Sequence, residues 1–269
     1  MTDTLTIGAR FLALHHGPQP LLLPNPWDAG SARLFEQQGF LALATTSSGF
    51  AASLGRQDGQ VSRDEALEHA AALVAATALP VTADLEQGFG FDPSEVADTY
   101  ARAARSGLAG ASIEDSTGDD QEPILGIDAA VERVRAAAEA AHATEAGFVL
   151  TARAENHLHG RRDLADTIAR LQAYQEAGAD VLYAPGLAGA EEIRTVVAAV
   201  DRPVNVLLGP SGLTVAALAE LGVARISVGG ALAFAAYDAA AAAAEELLHA
   251  GTRGFLDAAR RGRERISGF

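Results

Sequence analysis

EAGADVLY, residues 176–183, holds the end of a helix, a glycine stop and the start of a strand within eight residues. The same succession recurs in RSGLAGASIED, residues 105–115, and in ELGVARISV, residues 220–228. Glycine just past the last helical residue accepts the left-handed backbone that ends a helix, so Gly107, Gly178 and Gly222 mark helix-to-strand junctions, and Gly39 marks a fourth. Working outward, β-prone runs fall at Leu21–Pro24, Leu41–Thr45, Val81–Asp84, Ala109–Glu114, Phe148–Arg153, Asp180–Tyr183, Pro203–Val206 and Arg225–Val228. Alanine-rich amphipathic stretches near 29–38, 62–78, 93–106, 128–141, 162–177, 190–199 and 213–221 separate them, and one near 231–249 follows the last. Eight strand-then-helix units in series predict an α/β fold, a (β/α)8 TIM barrel, over about residues 20–230. Additional C-terminal helices are expected over about 231–262. An open doubly wound sheet shares the rhythm, but eight units of this regularity favour closure. No Pro/Ser-rich linker divides the chain, so residues 1–269 are expected to form one α/β-barrel domain.

Composition narrows the function classes. The net charge of −15 opposes nucleic acid and anionic membrane surfaces as partners. It also means that an anionic substrate needs a metal or a local arginine to enter. Cysteine is absent, which excludes a disulfide framework, a thiolate zinc site and a cysteine nucleophile. The N-terminal stretch MTDTLTIGARFLALHHG lacks the basic region and apolar core of a signal peptide, and no apolar run approaches the length of a membrane span. The alanine-rich segment at 231–248 is broken by Tyr237, Asp238, Glu245 and Glu246 and reads as a soluble helix. A cytoplasmic location is the expectation.

In a barrel of this kind, chemistry lies where strands end and loops begin. Those positions hold Asn25 and Asp28, then Thr46, Ser47 and Ser48, Asp84 and Glu86, Glu114 and Asp115, Arg153 and Glu155, Tyr183, Asn205 and Ser227. In VTADLEQGFG, Asp84 and Glu86 are two apart and point to one face while strand geometry lasts. Glu114, from the next strand, can approach the same point. Oxygen donors without histidine or cysteine suit Mg²⁺ or Mn²⁺, so Asp84, Glu86 and Glu114 are the expected metal ligands. The alternative is a helix cap and two solvated glutamates.

Arg153 and Glu155 in TARAEN place a guanidinium at a strand end, suited to a carboxylate or an enolate oxygen, or to a structural ion pair. TTSSGFAASLGRQDG reads as a small-residue loop whose N–H groups around Ser48 and Gly49 can cradle an anion. Asp58 in its tail is a base, a partner behind the metal, or a turn residue. Asn205 reads as a ligand for a substrate carboxylate or hydroxyl, or as a polar cap. His157 and His159 are weaker candidates; His15, His16 and Trp27 read as packing or surface residues.

At these residues the chain resembles the isocitrate lyase/phosphoenolpyruvate mutase superfamily. The segments that carry the resemblance are LLLPNPWDAGSARLFEQQGF, ATTSSGFAASLGRQDG, VTADLEQGFG, GASIED, TARAEN and LAELGVARISVGGAL, in order from about residue 10 to 250. The resemblance implies a barrel that binds Mg²⁺ or Mn²⁺ and a small 2-oxo acid. Asp84, Glu86 and Glu114 would hold the metal, largely through waters. Ser48 and Gly49 would bind the pyruvyl carboxylate, Asp58 would stand near the metal's outer shell, and Arg153 would contact substrate. Arg153, Asp58 and Glu155 are thus the candidates for catalysis; Ser47, Ser48, Gly49, Asp84, Arg153 and Asn205 are those for substrate binding. A homo-oligomer, dimer or tetramer, with an exchanged C-terminal helix is also implied. The helix near 231–249 and the FLDAARR segment are its candidates.

The chain departs from the family where the lyases carry a Lys-Lys-Cys-Gly-His segment after strand four. Here that loop reads DSTGDDQEPILGID, without cysteine, lysine or histidine; Asp119, Asp120 or Glu122 could reach into the site if the loop gates it, or stand as solvated acids. The asparagine-bearing loop of the mutases is missing too. The leading expectation is a metal-dependent carbon–carbon lyase or decarboxylase of a 2-oxo or 2-hydroxy acid, acting through an enolate. A phosphoenolpyruvate or carboxyphosphonoenolpyruvate mutase, a phosphonopyruvate hydrolase, or a non-catalytic 2-oxo acid-binding protein are the alternatives.

Overall fold

The computed structural model describes residues 5–209 and 212–269. Residues 1–4 of the N-terminal stretch read above lie outside the described residues. In chain order the elements are α1 (Ile7–Leu14), β1 (Leu21–Leu23), α2 (Ala29–Gln37), β2 (Leu43–Ala44), α3 (Ser47–Ser53) and α4 (Arg63–Ala76). They continue with β3 (Val81–Asp84), α5 (Pro93–Arg105), β4 (Gly110–Glu114), α6 (Ile127–His142), β5 (Val149–Arg153) and α7 (Leu164–Glu176). The rest are β6 (Val181–Tyr183), α8 (Ala190–Ala199), β7 (Val204–Leu207), α9 (Val215–Glu220), β8 (Arg225–Ser227), α10 (Ala231–Glu245), a π-turn (Glu246–Ala250) and α11 (Phe255–Ile266). All eight expected strands form, within two residues of their expected limits. Gly39, Gly107, Gly178 and Gly222 all adopt the left-handed conformation that their place after a helix demands.

The strands are parallel in the order β1-β8-β7-β6-β5-β4-β3-β2, with helices between them. The seam between β1 and β2 is narrow. Ala44 N–H donates to Pro24 O at 3.2 Å, just past β1. Buried Asn25 clasps it: its Nδ2 donates to Thr45 O at 2.9 Å, while its Oδ1 accepts Val228 N–H at 3.0 Å. The strand-end asparagine thus joins β1 to the ends of β2 and β8.

Most apolar side chains fill the layer between strands and helices, around Leu73, Tyr100, Leu108, Leu150, Leu171 and Tyr174. A smaller cluster, Phe11 with Leu21, Leu23, Val149 and Val181, plugs the lower end of the barrel from α1. Above this plug, many interior positions along the strands are polar. One register row pairs Glu114 with Arg153, Arg153 with Tyr183, Tyr183 with Asn205, and Asn205 with Arg225. Barrel strands tilt and stagger, so such a row descends from the last residue of β4 to the first of β8. Its members mark a path from mouth to floor.

The expected C-terminal helices are present. Of α10 only Ala233 is buried, and none of α11 is. Phe234, Tyr237, Leu247, Leu248 and Leu256 stand exposed. Among the described residues, no helix is long and apolar enough to cross a membrane.

Candidate active site

Arg153, the last residue of β5, is the hub of the barrel mouth. Its Nη1 lies 3.0 Å from Asp84 Oδ1 and 3.2 Å from Glu114 Oε2, and its Nε donates to Glu155 Oε1 at 2.8 Å. The guanidinium carbon stands 5.2 Å from the Tyr183 ring centroid, which adds a cation–π contact below. Burial pulls Arg153 toward neutrality, but Glu155, Glu114 and Asp84 together hold it firmly charged. One cation cannot neutralise so many acids. Burial accordingly pushes Glu114 well above the usual carboxylate range against the pull of Arg153, and raises Glu155 in the same way.

Two further carboxylates complete the mouth. Burial pushes Glu86 up to about 7, and the charges of Asp84 and Asp58 add to it. Asp58 is raised by burial too, opposed mainly by the nearby Ser47 hydroxyl. Ser47 itself donates from Oγ to Asp84 Oδ2 at 3.0 Å. The expectation that strand alternation carries Glu86 to the same face as Asp84 fails in detail. The strand ends at Asp84, and Glu86 has φ +49°, a left-handed conformation costly for a residue with a side chain. The turn is fixed by Glu114 N–H donating to Glu86 O at 3.1 Å and by Arg133 of α6, which donates to the carbonyls of Gln87 and Gly90.

Two adjoining cavities meet at this hub. The inner one, about 230 Å³, runs down the barrel past Thr46, Ser48, Asp84, Tyr183 and Asn205 to Arg225. The outer one, about 440 Å³, is walled by Glu86, Glu114, Glu155 and His159. Ser47, Asp58, Arg153 and Leu158 border both.

The small-residue segment after β2 is a helix start, not a loop. Thr46 caps α3, and its Oγ1 accepts Gly49 N–H at 3.2 Å. That N–H is therefore committed, which corrects the expectation that Gly49 offers it to an anion. Glycine is needed there for room: a Cβ would lie 2.6 Å from Thr46 Cγ2. Ser47 and Ser48 do line the inner cavity. Asn205 is buried, with its Nδ2 donating to Ser227 Oγ at 3.1 Å and its Oδ1 accepting from Arg225 Nε at 2.9 Å.

Several strand-end residues hold the frame rather than the site. Asp28 caps α2 reciprocally with Ser31. Trp27 packs edge-on against Phe35. Asp115 alternates away from Glu114 into the helix layer, where it accepts Glu155 N–H at 2.8 Å, Arg170 at 2.9 Å and the Tyr174 hydroxyl at 2.6 Å. Asp115 thereby anchors the backbone of Glu155. The segment after β4 is a short hairpin closed by a Ser116–Ile124 bridge, and Asp119, Asp120 and Glu122 on it are exposed. His157 is buried and His16 exposed. Reading strand ends missed Ser112, Thr151 and Arg225. Each lies two residues before a residue that was noticed (Glu114, Arg153, Ser227), so the period of two was the available signal.

Among the described residues, no three His, Asp or Glu side chains converge closely enough to grip an ion by themselves. The donors nonetheless suit one kind of ion. Mg²⁺ keeps most of its waters and takes one or two carboxylates, and the outer cavity offers acids, Glu86 and Glu114, whose affinity for protons is raised first by burial and then by their neighbouring carboxylates.

Fold and mouth together define a (β/α)8 barrel with an arginine–carboxylate centre at the carboxyl ends of its strands. The phosphoenolpyruvate phosphomutase family model matches residues 11–248, and the chain belongs to that family, within the isocitrate lyase/phosphoenolpyruvate mutase superfamily. A solved Burkholderia cenocepacia protein, described as a candidate lyase/mutase, is 55% identical with a TM-score of 0.93, covering 96% of this chain and 94% of that one. The 2-methylisocitrate lyase of Escherichia coli is 31% identical over 215 residues, 77% of this chain and 71% of that protein. An oxaloacetate acetylhydrolase, solved with its product oxalate, is 28% identical with a TM-score of 0.85, covering 94% and 90%.

Proposed function

We propose that this protein is a cytoplasmic, Mg²⁺- or Mn²⁺-dependent enzyme that breaks a carbon–carbon bond in a small 2-oxo or 2-hydroxy acid through an enolate. The observation that carries the reading is the mouth itself: Arg153 held between Asp84, Glu114 and Glu155 where the two cavities meet. In this reading the metal belongs on the outer, carboxylate-walled side, held through water by Asp84, Glu86 and Glu114. When bound, it supplies a Lewis acid for the carboxylate and ketone oxygens of the substrate. The chain's own groups do the rest. Ser47 and Ser48 orient the carboxylate end. Arg153 faces the oxygen on which charge develops when a bond at C3 breaks. Glu155 fixes the guanidinium through Nε, leaving Nη1 turned to the mouth. Asp58 borders both cavities, and its raised pKa suits it to shuttle the proton that the missing loop cysteine would handle in the lyases.

A binding protein without turnover is the second reading, favoured by the hairpin after β4, whose only acids are exposed. The test is a coupled assay for 2-oxo acid products with Mg²⁺, Mn²⁺ or chelator, against oxaloacetate, 2-methylisocitrate, 2,3-dimethylmalate and phosphonopyruvate. Metal-dependent turnover of one carbon–carbon substrate, abolished by Asp84→Ala, is expected. Turnover of phosphonopyruvate alone transfers the reading to a mutase or hydrolase; metal-dependent binding without turnover transfers it to the idle binder. Turnover that ignores Asp84→Ala sinks the metal assignment. The exposed apolar side chains of α10 and α11 support a homo-oligomer built through these helices.

A further inference from the structure

The turn that carries Glu86 is conformationally costly and is held from outside. Between the end of β3 and the start of α5, Glu86 (φ +49°) and Phe89 (φ +57°) both adopt the left-handed backbone although each bears a side chain. Among the described residues they are the only non-glycine residues with a positive φ. Such a backbone persists only where its surroundings over-determine it. Here the surroundings are few. Glu114 N–H donates to Glu86 O at 3.1 Å, Gly88 N–H donates to Leu85 O at 2.9 Å, and Arg133 reaches in from α6. Its Nη2 donates to two carbonyls of the turn at once, Gln87 O and, at 2.7 Å, Gly90 O.

Arg133 is a poorly satisfied anchor in every other respect. It is 3% exposed, and its hydrogen bonds run only to those two carbonyls. Nε and Nη1 are buried and make no hydrogen bond within the protein, and the guanidinium carbon lies 5.8 Å from the centroid of the exposed Phe91 ring. Buried donors left unmade are costly, and an apolar side chain would tie α6 to its neighbours without that cost. What the arginine adds is its grip on the turn. What the turn presents is Glu86, which walls the outer cavity beside Gln87 and Glu114. If φ of Glu86 returned to the ordinary negative range, its Cα–Cβ bond would turn from its present direction and the carboxylate would move with it.

We propose that Arg133 is a positioning residue for metal binding. By clamping the carbonyls of Gln87 and Gly90, it holds Glu86 in the backbone conformation that places its side chain on the outer cavity, and so sets the affinity of the mouth for a divalent cation. The proposal rests on the metal reading of the mouth and adds a residue that touches neither the cavity nor the ion.

The experiment is a Mn²⁺ titration of the full chain without substrate, followed by the electron paramagnetic resonance signal of free Mn²⁺. It is arranged as a double-mutant cycle on Arg133→Met and Glu86→Gln. Arg133→Met should weaken Mn²⁺ binding by about 10–100-fold, the range for removing a group that orients a metal ligand. In the Glu86→Gln background the same substitution should cost less than about twofold, because the ligand it orients is already gone. Arg133→Lys keeps a donor but loses the fork, and should recover part of the loss. An arginine that only braced the fold would lower the melting temperature in both backgrounds and leave the Mn²⁺ Kd of the folded protein alone. Suppose Glu86→Gln weakens binding, while Arg133→Met leaves Kd unchanged or weakens it equally in both backgrounds: the positioning role is overturned and the metal reading stands. Where Arg133→Met does not fold, Arg133→Lys takes its place in the cycle and is judged by the same outcomes. If wild-type protein binds no Mn²⁺, or Glu86→Gln changes nothing, the metal reading of Glu86 falls and the proposal with it.

Discussion

The barrel interior holds two arginines on one register row, one half-buried at the mouth and one buried at the floor, and their surroundings are opposite. Arg153 at the mouth touches Asp84, Glu114 and Glu155; Arg225 at the floor touches Asn205, Thr151 and a neutral histidine. The mouth therefore has more negative charge than its arginine can balance, and the floor has positive charge that nothing balances. A cation is wanted above and an anion below. Under the proposed function, this is how a chain with a net charge of −15 would hold an acidic ligand.

The largest expected effect comes from breaking the upper half. Arg153→Met leaves three carboxylates, Glu155 buried and Asp84 and Glu114 half-buried, without their common partner. Removing one side of a buried ion pair costs roughly 3–5 kcal/mol, and loss of a donor to a developing oxyanion lowers kcat by about 10²–10³. Turnover and the urea midpoint measure the two losses separately. If stability falls and kcat does not, Arg153 only holds the mouth together, and the substrate charge is met elsewhere.

How much of this contrast was legible in the sequence follows from the geometry of a strand. Strand ends were readable because apolar runs turn polar at one end, and they gave Asp84, Glu114 and Arg153; Asn205, read as a strand end, is instead the second residue of β7. Arg225 and Thr151 sit inside runs that look merely β-prone, and only the closed barrel shows that their side of the strand faces a cavity. The left-handed turn at Glu86 was hidden because it depends on Arg133, forty-odd residues away in sequence. The capped start of α3 was hidden for another reason. Ser, Thr and Gly serve equally well as anion-binding turns and as helix caps, and only the Thr46–Gly49 hydrogen bond decides between them. Likewise α1, whose Phe11 and His15 close the floor, carries too few residues to announce itself beside a generic N-terminus.

A pH experiment sharpens the lower half. His15 has a folded pKa of about 3 against an ordinary 6.5, a depressed value. Its contribution to stability is therefore complete above pH 6.5 and lost as the pH falls toward 3. At pH 4.5 the loss is on the order of 2–3 kcal/mol. His15→Gln should be less stable than wild type at pH 7.5, because the ring that packs on Phe11 is gone. The gap should narrow by that amount at pH 4.5, read as urea midpoints at the two pH values. A constant gap means that the ring is not held neutral by its burial against Arg225, and the floor is less positive than its neighbours imply.

The smallest effect is expected where the contrast stops. Asp119, Asp120 and Glu122 add to the acidity near the mouth on paper, yet they stand in solvent on the hairpin, and exposed charges are screened over about 8–10 Å of salt water. Replacing all three by their amides should change kcat and KM by less than about twofold. A fall of more than about tenfold in kcat with an unchanged melting temperature would mean that the hairpin folds over the outer cavity during turnover. Its acids would then belong to the mouth, and Asp58 would lose its claim as the group that moves the proton.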